Sequence, residues 1–292
     1  MASNIELIKN LRERTGAGIM DCKNALAATG DDIDKACDWL REKGIAKQAK
    51  KADRIAAEGL VLIKKCDKCG RASIVEVNCE TDFVSKGDAF RNLVQTCADT
   101  VLEQDIKDLE AAKEAVKDTF TDAAVKLGEK LSFRRFEIVS KNEGQELDTY
   151  IHMGGKIGVI VVLEKEDHEL AHSLAMHIAA NNPKYLTTKD IPGSAIEDEK
   201  KLQLSAAAND PKLAGKPQNV LEKIIEGKVM KTFSDSVLNE QEYLMDPTKK
   251  IGQVLTEKSN KVVKFVRYQV GEGIEKRHEN FAEEVAKQTA GL

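Results

Sequence analysis

Aromatic residues and prolines are scarce in this sequence. Phe, Trp and Tyr together make up 4% of the 292 residues and there are only 5 prolines, whereas 41% of the residues are hydrophobic. The cores must therefore be built mainly from Ala, Leu, Ile and Val, which is typical of a helix-rich protein. A chain of this length is also too long for a single core, so we expect several domains.

Long apolar runs and a large excess of one charge are absent as well. No apolar run reaches the roughly 18 residues that span a bilayer, and the N-terminus lacks the charged-then-apolar pattern of a signal peptide. We therefore expect no membrane segment and a cytoplasmic location. The 45 basic and 49 acidic residues give a net charge of −4, which disfavours direct binding of nucleic acid.

The six cysteines lack the density and the regular spacing of a disulfide framework, so we expect reduced thiols. Cys66 and Cys69 have the spacing of half a zinc knuckle or of a redox pair. A zinc site with four ligands needs a second such pair, and the sequence has none. Because strand-like residues flank this segment, we interpret it as a hairpin turn, with zinc or redox chemistry as the alternative.

Helical signals dominate the first 55 residues. Apolar residues at helical spacing, interrupted by glycines, predict three short helices. They run from Ser3 to Arg14, from Ile19 to a stop at Gly30, and from a cap at Asp31 or Asp32 to Gly44. This three-helix bundle resembles a ubiquitin-associated domain, which usually docks on a partner. Residues 47–54 follow as a basic, part-helical linker, so we assign residues 1–55 to a docking domain with its linker.

After the linker the apolar period changes from helical to alternating, and one plan occurs twice. The predicted strands are 59–65, 72–78 and 133–138 in the first copy, and 147–152, 157–163 and 265–270 in the second. The closing strands align Phe133 with Phe265, Arg135 with Arg267, and Phe136 with Tyr268. Each copy predicts a small antiparallel sheet covered by helices, so the expected fold class is α+β.

The second copy is longer than the first and must contain an insertion. We place a helical hairpin at residues 183–231, with helices at 197–208 and 220–230 and a break around Asn209-Asp210-Pro211 and 215–217. An apolar stripe that begins at Val220 cannot be buried completely by the hairpin alone, which predicts a dimerisation-type surface. The expected domains are then the core N-subdomain at 56–141, the core C-subdomain at 142–182 and 232–270, and a C-terminal module at 271–292 with a helix around residues 281–290.

One segment matches a catalytic motif. His168, Glu169 and His172 satisfy H-E-x-x-H, which on a helix offers two imidazoles to zinc and a glutamate as general base. The motif directly follows a strand, however, and His177 lies on the opposite side of the helix, where it cannot complete the site. No phosphate-binding loop and no serine-hydrolase elbow is present. We expect no enzyme, metal or cofactor; a zinc metallohydrolase and a ubiquitin-associated-type scaffold protein are the alternatives.

Thr81, Asp82, Phe83 and Val84 lie on the connection between a predicted strand and the next helix. Phe83 is one of only 8 phenylalanines and stands next to a charged residue. It could staple the following helix to the sheet, or it could be presented to a partner. The residues alone leave both interpretations open.

The segment 78–84, N-C-E-T-D-F-V, resembles the signature of the elongation factor Ts family. Further blocks resemble this family in the expected order, and they are residues 12–23, 50–52, 157–159, 176–180 and 270–275. The resemblance covers essentially the whole chain. Two departures are visible: Glu242 stands where the family often has proline, and Asn209-Asp210-Pro211 lengthens the hairpin tip.

The resemblance implies a guanine-nucleotide exchange factor in translation elongation, whose partner is the GTPase elongation factor Tu. It implies that the chain binds elongation factor Tu with GDP, disturbs the magnesium and phosphate site, and promotes GDP release so that GTP can bind. Phe83 would wedge into an apolar pocket of the GTPase and Asp82 would approach the magnesium ion. Thr81 and Val84 belong to the same implied site.

The resemblance also implies additional docking residues. Arg12, Ile19 and Met20 would dock on the nucleotide domain of the GTPase, and His152 with Gly155 would contact its phosphate-binding side. We expect Phe83 to matter more for exchange than His152. Through the hairpin, the expected assembly is a homodimer or a heterotetramer.

Overall fold

The computed structural model describes residues 4–208 and 217–275, which form helices and three small antiparallel sheets, so the α+β class is confirmed. The helices are α1 (Asn4–Thr15), α2 (Ile19–Thr29), α3 (Ile33–Lys50), α4 (Asp82–Lys86), α5 (Asp88–Glu103), α6 (Leu109–Ala115), α7 (Lys117–Leu127), α8 (His168–Asn181), α9 (Gly193–Ala208), α10 (Gln218–Ser234) and α11 (Ile251–Glu257). The strands are β1 (Glu58–Cys66), β2 (Arg71–Cys79), β3 (Ser132–Ser140), β4 (Glu146–His152), β5 (Ile157–Leu163), β6 (Glu242–Tyr243), β7 (Asp246–Lys250) and β8 (Val262–Gln269).

The two larger sheets share one strand order. The first has the order β1-β2-β3 and the second β4-β5-β8, and all their neighbouring strands are antiparallel. In each sheet, the second of the three strands along the chain is also the central strand of the sheet. Strands are present where the alternating pattern predicts them, and their bounds differ from the predicted ones by at most three residues.

The two sheets pack against each other, and helices cover their outer faces. Alternate side chains of the strands meet between the sheets, in a cluster that consists of Val61, Ala72, Ile74, Val139, Leu147, Ile160, Val162, Val266 and Tyr268. The other face of the first sheet packs on α5, α6 and α7, and that of the second packs on α8 and α11. The central strands β2 and β5 are therefore buried on both faces, which explains their nearly continuous apolar sequences.

The N-terminal helices α1, α2 and α3 enclose a core of their own and pack on α7. The predicted end of the third helix at Gly44 is wrong, because α3 continues to Lys50. Gly44 is buried, and a Cβ atom placed there would lie 2.5 Å from Cγ2 of Val125 on α7. The glycine thus permits the close approach of two helices instead of ending one. Ser3, the predicted start of the first helix, lies outside the described residues.

The predicted hairpin contains α9 and α10, which begin earlier than expected, and α10 also ends later. Ile225 and Val229 are buried between the two helices. Leu202 and Val220 are exposed to solvent. The predicted break at Asn209-Asp210-Pro211 and the predicted C-terminal helix around residues 281–290 lie outside the described residues.

The hairpin of β1 and β2 has Cys66 at the end of β1 and Cys69 in the turn, as predicted, but the expectation that both are reduced is wrong. The structure joins them in a disulfide, because the tight turn brings their Cα atoms to 5.6 Å, within the range that a disulfide spans. Cys79 and Cys97 behave as small core hydrophobes. Burial raises the pKa of each of these two thiols to about 12, so neither is a thiolate at neutral pH.

A buried carboxylate joins the first sheet to the end of the second. Glu76 on β2 has no exposed side-chain surface, and its two oxygens accept from Nη1 of Arg134 at 2.9 Å and from Nε of Arg135 at 2.6 Å. It also accepts from the backbone N–H of Gly271 at 2.8 Å, just after β8. Arg135 in turn stacks over the ring of Tyr268 on β8, 4.1 Å from the ring centre. One residue therefore holds strands of both repeats.

His177 on α8 is fully buried and hydrogen-bonded as a neutral ring. Its Nε2–H donates to Oε1 of Gln241 at 2.8 Å, and its Nδ1 accepts from the backbone N–H of Leu244 at 3.3 Å. A second proton on Nδ1 would replace this acceptor by a donor that faces another donor. Burial lowers the pKa of His177 below its ordinary value of 6.5.

We expect acid to destabilise the fold through His177. Below pH 6.5 the unfolded chain binds a proton that the folded chain resists, so the free energy of unfolding falls as the pH falls, by up to about 1.4 kcal/mol per pH unit. Urea unfolding from about pH 7 to pH 5 should show a shallower pH dependence for His177→Gln than for the wild type. His168→Gln, at an exposed histidine, is the control. Parallel pH profiles for wild type and His177→Gln would contradict the assignment.

Within residues 4–208 and 217–275, no helix combines the length and the apolar character that crossing a membrane requires.

Candidate partner-binding site

The segment 80–84, called the loop 80–84 below, runs from the end of β2 into the first turn of α4 and is built around a helix cap. The Oγ1 atom of Thr81 accepts from the backbone N–H of Val84 at 3.4 Å, which fixes the first turn of the five-residue helix α4. In that turn Phe83 projects into solvent with 84% of its surface exposed, whereas Val84 packs against the core under the first sheet. Val84, and not Phe83, therefore staples the helix, and the staple interpretation of Phe83 is wrong.

Asp82 lies next to the exposed ring as a stable anion. Its carboxylate accepts from Nζ of Lys86, one helical turn away, at 2.6 Å. This hydrogen bond lowers the pKa of Asp82 below its ordinary value of 3.8, so the group is ionised at neutral pH. The loop thus presents an aromatic ring and a negative charge side by side.

A second acidic residue, distant in sequence, holds the backbone of this loop. The Oε2 atom of Glu129, in the turn after α7, accepts from the backbone N–H groups of Glu80 and Thr81, both at 3.0 Å. Its Oε1 atom accepts from the hydroxyl of Thr81 at 2.5 Å. The Glu80 side chain in turn accepts from the backbone N–H of Lys130 at 2.6 Å. Reciprocal bonds therefore join the loop to the turn 128–130.

The turn between β4 and β5 lies at the same end of the packed sheets as the loop. Glu58 pairs with Cys79, the last residue of β2, and binds Nζ of Lys156 in this turn at 2.6 Å. His152, at the start of the turn, is half-buried, and its Nδ1 lies 3.2 Å from the hydroxyl of Tyr150. The structure thus brings His152 and the loop 80–84 to one end of the molecule.

Gly155 in the same turn is buried, and its carbonyl accepts from the backbone N–H of Val61 on β1 at 2.7 Å. Its φ of +101° and the nearby Val61 carbonyl, 3.1 Å from the place of a Cβ, leave no room for a side chain. This glycine joins the second repeat to the first. Its predicted contact with a partner stays a prediction.

An apolar patch lies on the N-terminal bundle. Ile19 and Met20 begin α2 with 55% and 64% of their surfaces exposed, and Arg12 near the end of α1 is also exposed. The turn between these helices lies against α7, since a Cβ at Gly16 would be 3.0 Å from the side chain of Lys126. Because α7 leads directly into the turn 128–130, it connects this patch with the loop 80–84.

A family model described as Elongation factor TS matches residues 80–272. The chain belongs to this family. Membership in the elongation factor TS family implies a nucleotide-exchange factor that acts on elongation factor Tu in translation elongation. The matched region begins in the loop 80–84 and includes both Glu129 and the β4–β5 turn, whereas the patch of Arg12, Ile19 and Met20 precedes it.

The H-E-x-x-H segment has a local role in this elongation factor TS fold. Nδ1 of His172 lies 2.8 Å from Oδ2 of Asp148, and Nδ1 of His168 lies 3.6 Å from Oε1 of Glu146. Both carboxylates belong to β4, so the imidazoles bind the neighbouring strand. Among the described residues, no three His, Cys, Asp or Glu side chains converge as a metal site requires.

Glu129, Lys130 and Arg54 belong to the surroundings of this site, and sequence reasoning missed them. Thr81 and Glu129 are 48 residues apart, so no local spacing relates them. The repeated sheet plan was the only indication in the sequence. It places the start of β3 beside the end of β2, and the turn 128–130 directly precedes β3.

Proposed function

We propose that this chain accelerates GDP release from elongation factor Tu by inserting the loop 80–84 next to the nucleotide site. The observation that supports this most strongly is Phe83, a large aromatic side chain that is 84% exposed although its backbone is fixed on both sides. Leaving so much apolar surface in water is unfavourable in the free protein, and burying it in a pocket of a partner reverses this.

Phe83 acts as a wedge in this mechanism. Its ring is stiff, and the Thr81 cap and the partly buried Val84 prevent the loop from yielding when the ring enters an apolar pocket. The GTPase must therefore adjust to the ring. Displacing the segments around the nucleotide weakens the binding of GDP in the complex, and no covalent bond is formed or broken.

Asp82 supplies the electrostatic part of the mechanism. In a GTPase, magnesium bridges phosphate oxygens and neutralises their charge. A carboxylate that is ionised and held by Lys86 at 2.6 Å can approach this ion and compete for its coordination. Disturbing the magnesium shell loosens the phosphates and hence GDP.

Docking surfaces on other elements hold the complex while the loop acts. We assign nucleotide-domain docking to Arg12, Ile19 and Met20, and contact with the phosphate-binding side to His152 with the β4–β5 turn. Thermodynamic linkage requires that GDP weakens binding of this factor by the same ratio by which the factor weakens binding of GDP. GTP then completes the cycle by displacing the factor.

The hairpin of α9 and α10 is proposed as the assembly surface, within the boundaries 183–231. Its exposed Leu202 and Val220 offer apolar area that a second copy would cover, which gives a homodimer, or a heterotetramer with two GTPases. Because its proposed partner works in translation, we place the protein in the cytoplasm.

Release of fluorescent GDP from elongation factor Tu at fixed magnesium tests the proposal. We expect the release rate to rise with the concentration of this protein and then to saturate, since release proceeds within a bound complex. Excess magnesium should reduce the acceleration, because it refills the disturbed coordination shell. A release rate that is independent of the added protein would refute the proposed function.

A further inference from the structure

We propose that Glu129 is a positioning residue for nucleotide exchange: its carboxylate holds the loop 80–84 in the conformation that presents Phe83 and Asp82. This inference rests on the proposed function. Glu129 lies in the turn after α7, and we assign it no contact with the GTPase. It acts through the loop alone.

The hydrogen bonds of Glu129 are directed at the point where the loop begins. One carboxylate oxygen accepts from two successive backbone N–H groups, those of Glu80 and Thr81, at 3.0 Å each. The other oxygen accepts from the hydroxyl of Thr81 at 2.5 Å. Such charge-assisted bonds are about twice as strong as neutral ones. Together they fix both the backbone and the side chain of Thr81, the residue that caps α4.

The Thr81 hydroxyl transmits this restraint into α4. A hydroxyl has a single hydrogen, and here that hydrogen is donated to Glu129, which leaves the lone pairs of Oγ1 to accept from the N–H of Val84. Glu129 thus orients the cap. Because a helix of five residues is far too short to be stable in isolation, its first turn depends on such contacts.

The turn that contains Glu129 is itself fixed from two directions. Nζ of Lys130 donates to the backbone carbonyls of Ala52 at 2.5 Å and Arg54 at 2.7 Å, and Nζ of Lys51 donates to the carbonyl of Gly128. The guanidinium of Arg54 lies 3.3 Å from the Glu80 carboxylate. The turn 128–130 is therefore hydrogen-bonded both to the segment 51–54, which follows the N-terminal bundle, and to the loop 80–84. These bonds restrain the position of Glu129.

Glu129→Ala should impair exchange more than binding. We expect the maximal rate of fluorescent GDP release to fall about 10- to 100-fold, because a loop misplaced by about 1 Å no longer presents its ring correctly. The concentration of factor at half-saturation should change much less, since the other docking surfaces are intact. Glu129→Gln retains one oxygen acceptor for the two N–H groups, and its amide can donate to the Thr81 hydroxyl, so it should restore much of the rate.

Glu143→Ala, in the exposed turn between β3 and β4, is the matched control and should exchange like the wild type. Wild-type maximal rates for Glu129→Ala would overturn the proposal, and so would a Gln variant as slow as the Ala variant. Hydrogen exchange of the Glu80 and Thr81 amides provides an independent readout: we expect protection in the wild type and its loss in Glu129→Ala, and unchanged protection would overturn the proposal. If the wild-type protein failed to accelerate GDP release, the proposed function would be refuted. Hydrogen exchange of the Glu80 and Thr81 amides would still show whether Glu129 holds the loop.

Discussion

Replacing Phe83 with alanine is expected to remove most of the acceleration of GDP release. A buried aromatic anchor at the centre of an interface typically contributes about 2–4 kcal/mol, which corresponds to a fall of roughly 30- to 1000-fold in the rate or affinity that depends on it. In the free protein this ring is 84% exposed and packs on little. We therefore expect the thermal midpoint of Phe83→Ala to equal that of the wild type, so that the loss is attributable to the interface.

Two comparisons sharpen the Phe83 experiment. Val263→Ala shortens another exposed apolar residue, near the start of β8, where Val262 pairs with Leu163 at the end of the sheet away from the β4–β5 turn. It should leave exchange unchanged. His152→Ala should reduce exchange less than Phe83→Ala, because His152 is half-buried against Tyr150 and offers the partner a smaller surface. Normal exchange by Phe83→Ala together with loss in His152→Ala would reverse the proposed order.

The strands could be predicted well from the sequence because their patterns are local. Alternation along 59–65 and the apolar run 157–163 reflect side chains that point to opposite faces of a sheet, and both faces are buried here. The repeat plan then predicted one small antiparallel sheet in each copy, and the structure has both sheets. These features depend on neighbouring residues in the chain, so they are visible without the fold.

Gly44 shows where local reasoning fails. A glycine late in a helical pattern is usually read as a stop, but here it allows α3 to lie against Val125 of α7. Whether a glycine ends a helix or admits a neighbour depends on a contact between residues far apart in sequence. No pattern within one helix distinguishes the two.

The candidate site likewise has residues that the sequence indicated and contacts that only the structure shows. The resemblance of the segment 78–84 indicated Asp82 and Phe83, but it could not show which of the neighbouring side chains is exposed. The structure answers this, since Val84 packs inward and Phe83 points outward. Glu129 could not be predicted, because its contacts with Glu80 and Thr81 exist only once the end of α7 has been placed beside the end of β2.

Glu76→Ala is expected to have the largest effect on stability of the changes considered. Removing one partner of a buried ionic network costs about 3–5 kcal/mol, because the remaining charges lose their compensation. Here the guanidinium groups of Arg134 and Arg135 would each lose one acceptor, although both also bind Glu272, and the N–H of Gly271 would lose its acceptor. Both arginines are partly exposed and can turn towards water, which favours the lower end of this range. Urea unfolding at neutral pH measures the loss.

The control for Glu76 is an ion pair that also joins the two sheets but lies at the surface. Glu137 on β3 binds Lys264 on β8 at 2.5 Å, with both side chains partly exposed, so Glu137→Ala should cost less than about 1 kcal/mol. Equal losses for the two variants would show that Glu76 is no more than a surface pair. A much larger loss for Glu76→Ala would show that Glu76 contributes more than the surface pair to holding the two repeats together. Because β2 continues from Glu76 directly into the loop 80–84, the contacts of Glu76 also fix the strand from which this loop begins.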